Sequence, residues 1–337
     1  MAAAITPVST WDGPTTGPTG AKGKSIVYVS EDQSNAGAKG VGGGVQEAAQ
    51  ALGWNFKLLN AGGTVDGEVA AMNQALALKP DGIVIGAIDE TLVAKQLDQA
   101  KQLGIPVVGW HSTANAGPTT NPTLFNNVQS NLANSATLMT YYAIATQSAK
   151  ANVVIMTWNL YAASRAKAGA MKATIELCGS CKLLSFDDSP LTTASTRMQS
   201  YTASLVQKFG KQLTDVMMFN DGFADYMAPA LKSLNIPTSG PGTVSLLSAG
   251  DGSSTAYDRI RAGQYQTATI PEPLNLHGWL IVDNLNRAFN NSPPTDYVTP
   301  LHLVVKSNVD LDGGNNDAFD PNNGYRDIFK KIWAGTS

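Results

Sequence analysis

The sequence predicts an α/β protein with two doubly wound lobes, each built on a parallel sheet. From Lys24 onward, short β-branched runs alternate with longer helical stretches, an order that is typical of βαβ units. This alternation runs through two successive sets of strands. The chain has 337 residues, which is more than a single hydrophobic core usually holds. We therefore expect two cores rather than one.

The first set of strands lies before residue 111. Its members are predicted at 25–30 (SIVYVS), 55–60 (NFKLLN), 82–86 (GIVIG) and 106–110 (PVVGW). Between the first two, Val41, Val45 and Ala48 recur at the spacing of one helix face. Gly53 and Gly104 stand where the intervening helices are expected to end.

The second set of strands begins at residue 152. Its members are predicted at 152–158 (NVVIMTW), 182–187 (KLLSFD), 215–220 (DVMMFN), 244–248 (VSLLS) and 266–270 (QTATI). A further helix is predicted at 274–289 (LNLHGWLIVDNLNRAF). Right-handed crossovers place helices on both faces of such sheets, and ligands bind at the carboxyl ends of the strands.

A glycine-rich stretch, NAGAKGVGGG, follows the first strand at 35–44. It does not match a nucleotide fingerprint, because the third glycine of G-x-G-x-x-G is replaced by Val45 and no Lys follows Gly44. We expect these glycines to thin the wall of a cleft at the start of the first helix. An ordinary flexible turn is the alternative.

Charge and composition exclude several classes of partner. The net charge is −3, 15% of the residues are charged and no basic block occurs, so nucleic acid is not an expected partner. No apolar run reaches the ~18 residues of a membrane span. Residues 1–23 are rich in Thr, Pro and Gly and predict a disordered or extended leader, either without function or as the start of an exported chain whose signal peptide is absent from this sequence.

The two cysteines form a Cys-x-x-Cys pattern at Cys178 and Cys181. A reactive pair needs its first thiol at a helix N-terminus, whereas Cys178 ends a helical pattern. We therefore expect a structural disulfide or unreactive thiols. Zinc would need two ligands besides the cysteines, and the three histidines, at 111, 277 and 302, are scattered along the chain.

One stretch approximates half of a calcium loop, with NVDLDG at 308–313. The twelfth position of such a loop should be a bidentate acid, but here it is Phe319. A polar turn is therefore favoured over a calcium site, and no metal or cofactor is expected.

Five motifs occur in order along the chain: PDGIVI (80–85), GIPVV (104–108), FNDGFA (219–224), AGDG (249–252) and TATIPEP (267–273). This ordered set resembles the ribose-binding type of periplasmic sugar-binding protein, the solute receptors of ABC importers. The resemblance covers about residues 24 to 309. It implies two Rossmann-like lobes joined by a three-stranded hinge, with the ligand cleft between them and no enzymatic activity.

The resemblance also implies a division of the chain. Lobe 1 would comprise 24–128 and 273–299, and lobe 2 would comprise 129–272 and 300–309. Residues 310–337 would form a C-terminal tail with a short docked helix.

Candidate ligand-binding residues follow from these motifs and from the strand ends. They are Ser30, Asp32, Asn35, Trp110, His111, Trp158, Asn159, Arg165, Asn220, Asp221, Phe223, Asp251 and Glu272. Asn and Asp after a strand also favour ordinary turns, and large aromatic residues are often core. The basic position that opens the helix after the strand at 152–158 is either Arg165 or Lys167, and Arg165 is preferred for its planar fork.

Some positions depart from the ribose receptors. The first loop lacks their aromatic pair, and His111 with Ser112 stands where they carry Asp-Arg. Four aromatic residues are candidates to supply stacking from other strand ends: Trp110, Trp158, Tyr161 and Phe223.

The expected function is that of a monomeric periplasmic receptor which captures a small sugar or sugar alcohol by hinge closure and delivers it to the permease of an ABC importer. Candidate acids outnumber bases, which suits a polyol and tolerates an amine on it. A chemosensory or signalling receptor for an amino sugar is an alternative. An enzyme on the same fold is a weaker one, since G-x-S-x-G and clustered metal ligands are absent.

Overall fold

The computed structural model describes residues 2–312 and 317–336. The first half of the chain contains β1 (Ser25–Ser30), α1 (Ala36–Ala51), β2 (Asn55–Asn60), α2 (Val65–Ala77), β3 (Gly82–Gly86), α3 (Ala94–Gln102), β4 (Val107–Trp110), β5 (Thr119–Thr120), β6 (Thr123–Leu124) and β7 (Asn126–Val128). The second half contains α4 (Leu132–Thr146), β8 (Asn152–Thr157), α5 (Ala162–Glu176), β9 (Lys182–Asp188), α6 (Ala194–Phe209), β10 (Asp215–Met218), α7 (Ala224–Ser233), β11 (Ser245–Ser248), α8 (Ser254–Ala262), β12 (Gln266–Thr269), α9 (Leu274–Phe289), β13 (Val304–Val305), α10 (Val309–Asp312) and α11 (Tyr325–Ala334).

Two main sheets organise the protein. The first has five parallel strands in the order β2-β1-β3-β4-β7. The second has six strands in the order β13-β12-β11-β10-β8-β9, all parallel except β13, which pairs antiparallel with β12. The predicted fold class, α/β with parallel sheets in two lobes, is therefore confirmed.

Every predicted strand is present, with ends that differ by at most two residues. The short strands β5, β6, β7 and β13 were not predicted. In β7 the reason is its polarity, since Asn126 and Asn127 are poor strand formers. Both amides are buried and satisfied by tertiary partners: Asn126 Nδ2 donates to Asn284 Oδ1 at 2.8 Å, and Asn127 Oδ1 accepts from the Ser112 amide at 3.1 Å.

Helices cover each sheet on both faces. Successive side chains of a strand point to opposite faces, so each face carries apolar side chains that the helices bury. In the first sheet, Val29 and Ile85 belong to the core under α2 and α3, whereas Tyr28 and Val84 belong to the core under α1 and α9. The second sheet has an equivalent pair of cores. This packing holds the strand ends in fixed positions.

Between β1 and β13, the chain passes between the two sheets three times. The passages lie between β7 and α4, between β12 and α9, and between α9 and β13. Helix α9 returns to the first sheet and packs against α1. The strand ends of both sheets therefore face a common cleft.

The terminal segments pack on the helices of the first sheet. The Trp11 ring lies 5.4 Å from the Tyr297 ring and 5.5 Å from the Phe329 ring. In α11, the Trp333 ring stacks on the Trp279 ring of α9 at 5.3 Å. Residue Ala4 reaches the second sheet, where its carbonyl oxygen accepts from the Leu303 amide at 2.9 Å. Residues Ala2–Ile5 form a 3-10 helix, and Trp11 packs against the helices of the first sheet.

The glycine run lies inside α1, not in a loop. A Cβ at Gly40 would lie 2.6 Å from Leu274 Cδ1, one at Gly42 would lie 2.9 Å from Tyr28 Cε1, and one at Gly44 would lie 2.6 Å from the carbonyl oxygen of Asn275. These glycines allow α1 to approach β1 and α9 closely, because the side chain of any larger residue would collide with β1 or α9. Only part of the run bears on the cleft, which differs from the expectation.

The cysteine pair and the candidate calcium stretch lie away from the cleft. Cys178 and Cys181 form a disulfide just after the end of α5. Of the two expectations, a structural disulfide or unreactive thiols, the structure therefore has the disulfide. In the stretch 308–319, Asp310 pairs with Arg261 at 2.7 Å and the Phe319 ring stacks on His302. Residues 313–316 of that stretch lie outside the described residues.

Candidate functional site between the two sheets

A cavity of about 50 Å³ lies where the carboxyl ends of the strands of both sheets converge. This volume has room for on the order of four water molecules. Its polar lining includes Glu31, Asn35, His111, Ser164, Lys167, Asn220 and Asp251. A vestibule of about 260 Å³ adjoins it, and the two share Glu31, Asn35, Leu191 and Asn220.

Lys167 of α5 is the central cation of the cavity, although it is only 2% exposed. Its Nζ lies 3.5 Å from Asp251 Oδ1 and 3.9 Å from Glu272 Oε1. It also donates to the carbonyl oxygen of Phe219 at 3.4 Å. Asp251 is held from its other side, where Oδ2 accepts from Asn220 Nδ2 at 2.9 Å. The second sheet therefore presents an amide, a carboxylate and an ammonium group together.

Glu272 lies behind this group, between β12 and α9. His111 Nε2 lies 2.7 Å from its Oε1, the Ser130 amide donates to its Oε2 at 3.1 Å, and His277 Nδ1 lies 3.4 Å from the same oxygen. Burial alone would raise the pKa of Glu272, but His111, Lys167 and His277 outweigh burial and hold it below its usual range. Glu272 is therefore an anion that fixes His111 from behind.

His277 connects Glu272 to the passages between the sheets. Burial lowers its pKa to about 4, so the imidazole is neutral near pH 7. Its Nδ1 accepts from Trp110 Nε1 at 3.1 Å, which leaves the proton on Nε2 to donate to Thr299 Oγ1 at 2.8 Å. Thr299 in turn pairs with Ser130 Oγ at 2.8 Å. One polar network thus joins all three passages.

Glu31 and Asn35 form the wall contributed by the first sheet. Asn35 caps α1, because its Oδ1 accepts from the Gly37 amide at 3.0 Å, and its Nδ2 donates to Glu31 Oε2 at 3.3 Å. Glu31 is 3% exposed. Burial, together with the neighbouring acids Glu68, Asp32 and Asp251, raises the pKa of Glu31 to about 8 despite the hydrogen bond from Asn35.

Two contacts close the cleft on the side of α5. Tyr161, whose ring packs edge-on against Trp158 at 4.4 Å, donates its hydroxyl to Glu68 Oε1 of α2 at 2.7 Å. The amide of Ala162 donates to Asp89 Oδ2 at 2.7 Å, so an acid from the first sheet meets the N-terminus of α5. Burial raises the pKa of Glu68 to about 7. These two contacts join the elements of the two sheets on this side of the cleft.

The structure brings several predicted residues together at the cavity and places one in the vestibule. Those lining the cavity are Asn35, His111, Trp158, Asn220 and Asp251, and Asp32 lines the vestibule. The predicted residues outside both linings are Ser30, Trp110, Asn159, Arg165, Asp221, Phe223 and Glu272.

Three of the residues outside the lining are buried supports. The Trp110 ring stacks behind His111 with 3.8 Å between ring centroids. Phe223 is fully buried in the core of the second sheet. Asp221 accepts from the Gly252 amide at 2.8 Å and from Gln266 Nε2 at 2.7 Å, so its carboxylate is committed to protein donors.

The remaining polar residues point elsewhere. Ser30 Oγ accepts from Gln33 Nε2 at 2.8 Å. Arg165, with 49% of its side chain exposed, donates to the carbonyl oxygen of Asn159. Residues two apart on a helix are about 200° apart around its axis. Only one of Arg165 and Lys167 can therefore face the cavity, and the structure places Lys167 there.

Sequence reasoning did not single out Glu31, Ser164, Leu191 or Phe219, which also line the cavity. A signal existed for Glu31, since it directly follows β1 and strand ends mark the ligand side of such sheets. Ser164 lies within α5 and has no comparable signal.

His111, Asp251 and Glu272 present ligand atoms within 4.8 Å of one another, a donor set that suits a metal. The Lys167 ammonium lies beside both carboxylates at 3.5 and 3.9 Å. A protein cation thus already offsets part of the negative charge that a metal ion would neutralise.

The chain is similar in structure to several solute receptors. One is an ABC transporter solute-binding protein from Agrobacterium vitis with bound allitol, which is 17% identical, has a TM-score of 0.75 and covers 86% of this chain and 98% of that one. Another is the periplasmic component of the arabinose ABC transporter from Shewanella sp. ANA-3, bound to arabinofuranose, at 13% identity, a TM-score of 0.72, and 91% and 98% coverage. A glucose-galactose binding protein from Geobacillus stearothermophilus has 15% identity, a TM-score of 0.73, and 85% and 99% coverage.

No curated protein matches the chain in sequence. Among the described residues, none of the helices has the length and apolarity that crossing a membrane requires. The periplasmic binding protein domain matches residues 26–292, most of the chain. The chain therefore belongs to the periplasmic binding protein domain family, whose members are solute receptors rather than enzymes.

Proposed function

We propose that this protein is a periplasmic receptor that encloses a small sugar or sugar alcohol between its two lobes and delivers it to an ABC importer. The observation that carries the proposal is the polar cavity between the sheets. There Asn220, Asp251 and Lys167 of one sheet face Asn35 and Glu31 of the other. Amide, carboxylate and ammonium groups can both donate to and accept from the vicinal hydroxyls of a polyol.

The aromatic lining complements these polar groups. Trp158, Tyr161 and Phe219 line the same cavity and offer apolar surface to the carbon face of a sugar ring. Known receptors of this fold support the choice of ligand, since those from Agrobacterium vitis and Shewanella sp. ANA-3 hold allitol and arabinofuranose.

Hinge closure follows from where the contacts lie. Tyr161 with Glu68, and Ala162 with Asp89, join elements of different lobes. A ligand that bridges the lobes binds the closed form better than the open form and so shifts the population towards closure. The lobe boundaries, 24–128 with 273–299 and 129–272 with 300–309, and a monomeric state are part of this proposal.

A thermal-shift screen over pentoses, hexoses, amino sugars and alditols, followed by isothermal titration calorimetry, tests the proposal. We expect at least one compound to raise Tm and to be recovered unchanged. A compound that is consumed would indicate an enzyme instead. Cell fractionation of the natural host tests the periplasmic location.

A further inference from the structure

The carboxylate of Glu31 holds an unusual place in the site. It lines both the cavity and the vestibule while being 3% exposed. Among the residues that the structure describes, its side chain has one hydrogen bond, from Asn35 Nδ2 to Oε2 at 3.3 Å. Oε1 is therefore free to bind a ligand that enters the cavity.

The surroundings of Glu31 are acidic. Asp32, Glu68 and Asp251 add to the effect of burial and raise its pKa to about 8. Glu68 is itself buried, and its Oε2 has no hydrogen-bond partner within the described part of the chain. A buried carboxylate without a cation is strongly disfavoured.

The cations of the cavity are already engaged. Lys167 lies beside Asp251 and Glu272, and His111 lies 2.7 Å from Glu272. Even with His111 counted as protonated, three carboxylates (Glu31, Asp251 and Glu272) face two cations. In the described ranges, Glu31 is therefore the carboxyl group that has no protein cation to pair with when it ionises.

The aromatic wall favours a cation from the ligand. Trp158 and Tyr161 line the cavity together with Glu31. Across residues 2–312 and 317–336, the Lys and Arg groups that stand over aromatic rings do so at other rings than these. Tryptophan and tyrosine faces attract ammonium groups, particularly where water is excluded.

We infer that the ligand carries a protonated amine that pairs with Glu31, so that the substrate class is amino-substituted sugars or amino alditols. This inference rests on the proposed function and narrows it. The hydroxyls of such a ligand would meet Asn220 and Asp251, and its ammonium group would meet Glu31. Where Glu31 is protonated before binding, the carboxyl proton leaves to solvent as the ammonium–carboxylate pair forms.

The test is calorimetric titration of the full chain at pH 7 with matched sets of compounds. One set is D-glucose, D-glucosamine and N-acetyl-D-glucosamine; a second is the galactose series; a third is sorbitol with 1-amino-1-deoxysorbitol. We expect the amine to bind at least tenfold more tightly than its neutral partners in one set. Repeating the titration in buffers of different ionisation enthalpy should show proton release with the amine alone.

Two variants locate the preference. Glu31→Gln should bring the amine and its neutral partner to within about twofold. Glu176→Gln is the control, because Glu176 lines neither the cavity nor the vestibule and 54% of its side chain is exposed, so the preference should persist.

The opposing results are distinct. Neutral sugars that bind as well as the amines in every set would overturn this inference and leave the proposed function standing. An amine preference that survives Glu31→Gln would overturn the assignment to Glu31. Binding by no member of any set would overturn the inference, and the proposed function falls with it only when the screen over pentoses, hexoses, amino sugars and alditols also finds no ligand.

Discussion

Gly37 gives a direct way to perturb closure of the cleft. It lies in the first turn of α1, and a Cβ built there would overlap Asp251 Oδ2, which belongs to the other lobe. The same Cβ would lie 2.8 Å from Trp110 Cη2. Both contacts are inside the about 3.5 Å optimum for nonbonded heavy atoms. Gly37→Ala should therefore oppose the closed arrangement.

The expected size follows from overpacking. Inserting a methyl group into a packed site costs about 1–3 kcal/mol. If that cost falls on the closed form, Kd for the best sugar of the screen rises about 5- to 150-fold. Gly43→Ala is the matched control, because it lies in the same helix and a Cβ there meets nothing within 4 Å. It should leave Kd unchanged and stabilise α1 by up to about 1 kcal/mol.

Calorimetry measures Kd for both variants, and urea unfolding measures their stability. An unchanged Kd for Gly37→Ala would refute the placement of α1 against Asp251. An equal loss of affinity in Gly43→Ala would show that the effect comes from the helix rather than from the cleft.

Three further predictions concern charge and covalent structure. Lys167→Met removes the cation between two buried carboxylates and should lower the free energy of unfolding by about 3–5 kcal/mol; a loss below 1 kcal/mol in urea titrations would contradict the ion-pair assignment. Raised carboxyl pKa values, about 8 for Glu31 and about 7 for Glu68, mean that the folded state keeps protons that the unfolded state has released. The free energy of unfolding should therefore fall as pH rises from about 5 to 8, and Glu31→Gln should flatten that slope. The Cys178–Cys181 disulfide joins residues only three positions apart and lies outside the cleft. Its reduction should therefore lower the free energy of unfolding by at most about 2 kcal/mol and leave Kd unchanged.

Much of the fold could be predicted because its signals are local. Buried parallel strands such as GIVIG at 82–86 are apolar throughout, and glycines such as Gly53 mark helix ends. The strand β7 had no such signal, since the stability of Asn126 and Asn127 in the sheet comes from distant partners. The prediction that the glycine run lines the cleft was only partly correct, because Gly40 and Gly44 lie against α9. A sequence alone does not show that α9 will pack against α1.

The candidate site could be predicted only in part. Asn220 lies two residues after the end of β10 and Asp251 three residues after the end of β11, so the βα pattern predicts their place at the cavity. The choice between Arg165 and Lys167 depends on the rotation of α5 about its axis, which packing sets. Glu68 contributes to the cleft through its hydrogen bond with Tyr161, which lies 93 positions away in the chain. No local sequence pattern predicts such a contact.

A crystal structure of the protein with the tightest-binding compound of the screen tests the central claim most directly. We predict ligand density in the cavity between the sheets, with hydroxyls within hydrogen-bond distance of Asp251 and Asn220. Density elsewhere, for example in the groove of about 840 Å³ beside Phe125 and Phe289, together with an unfilled cavity, would contradict the account.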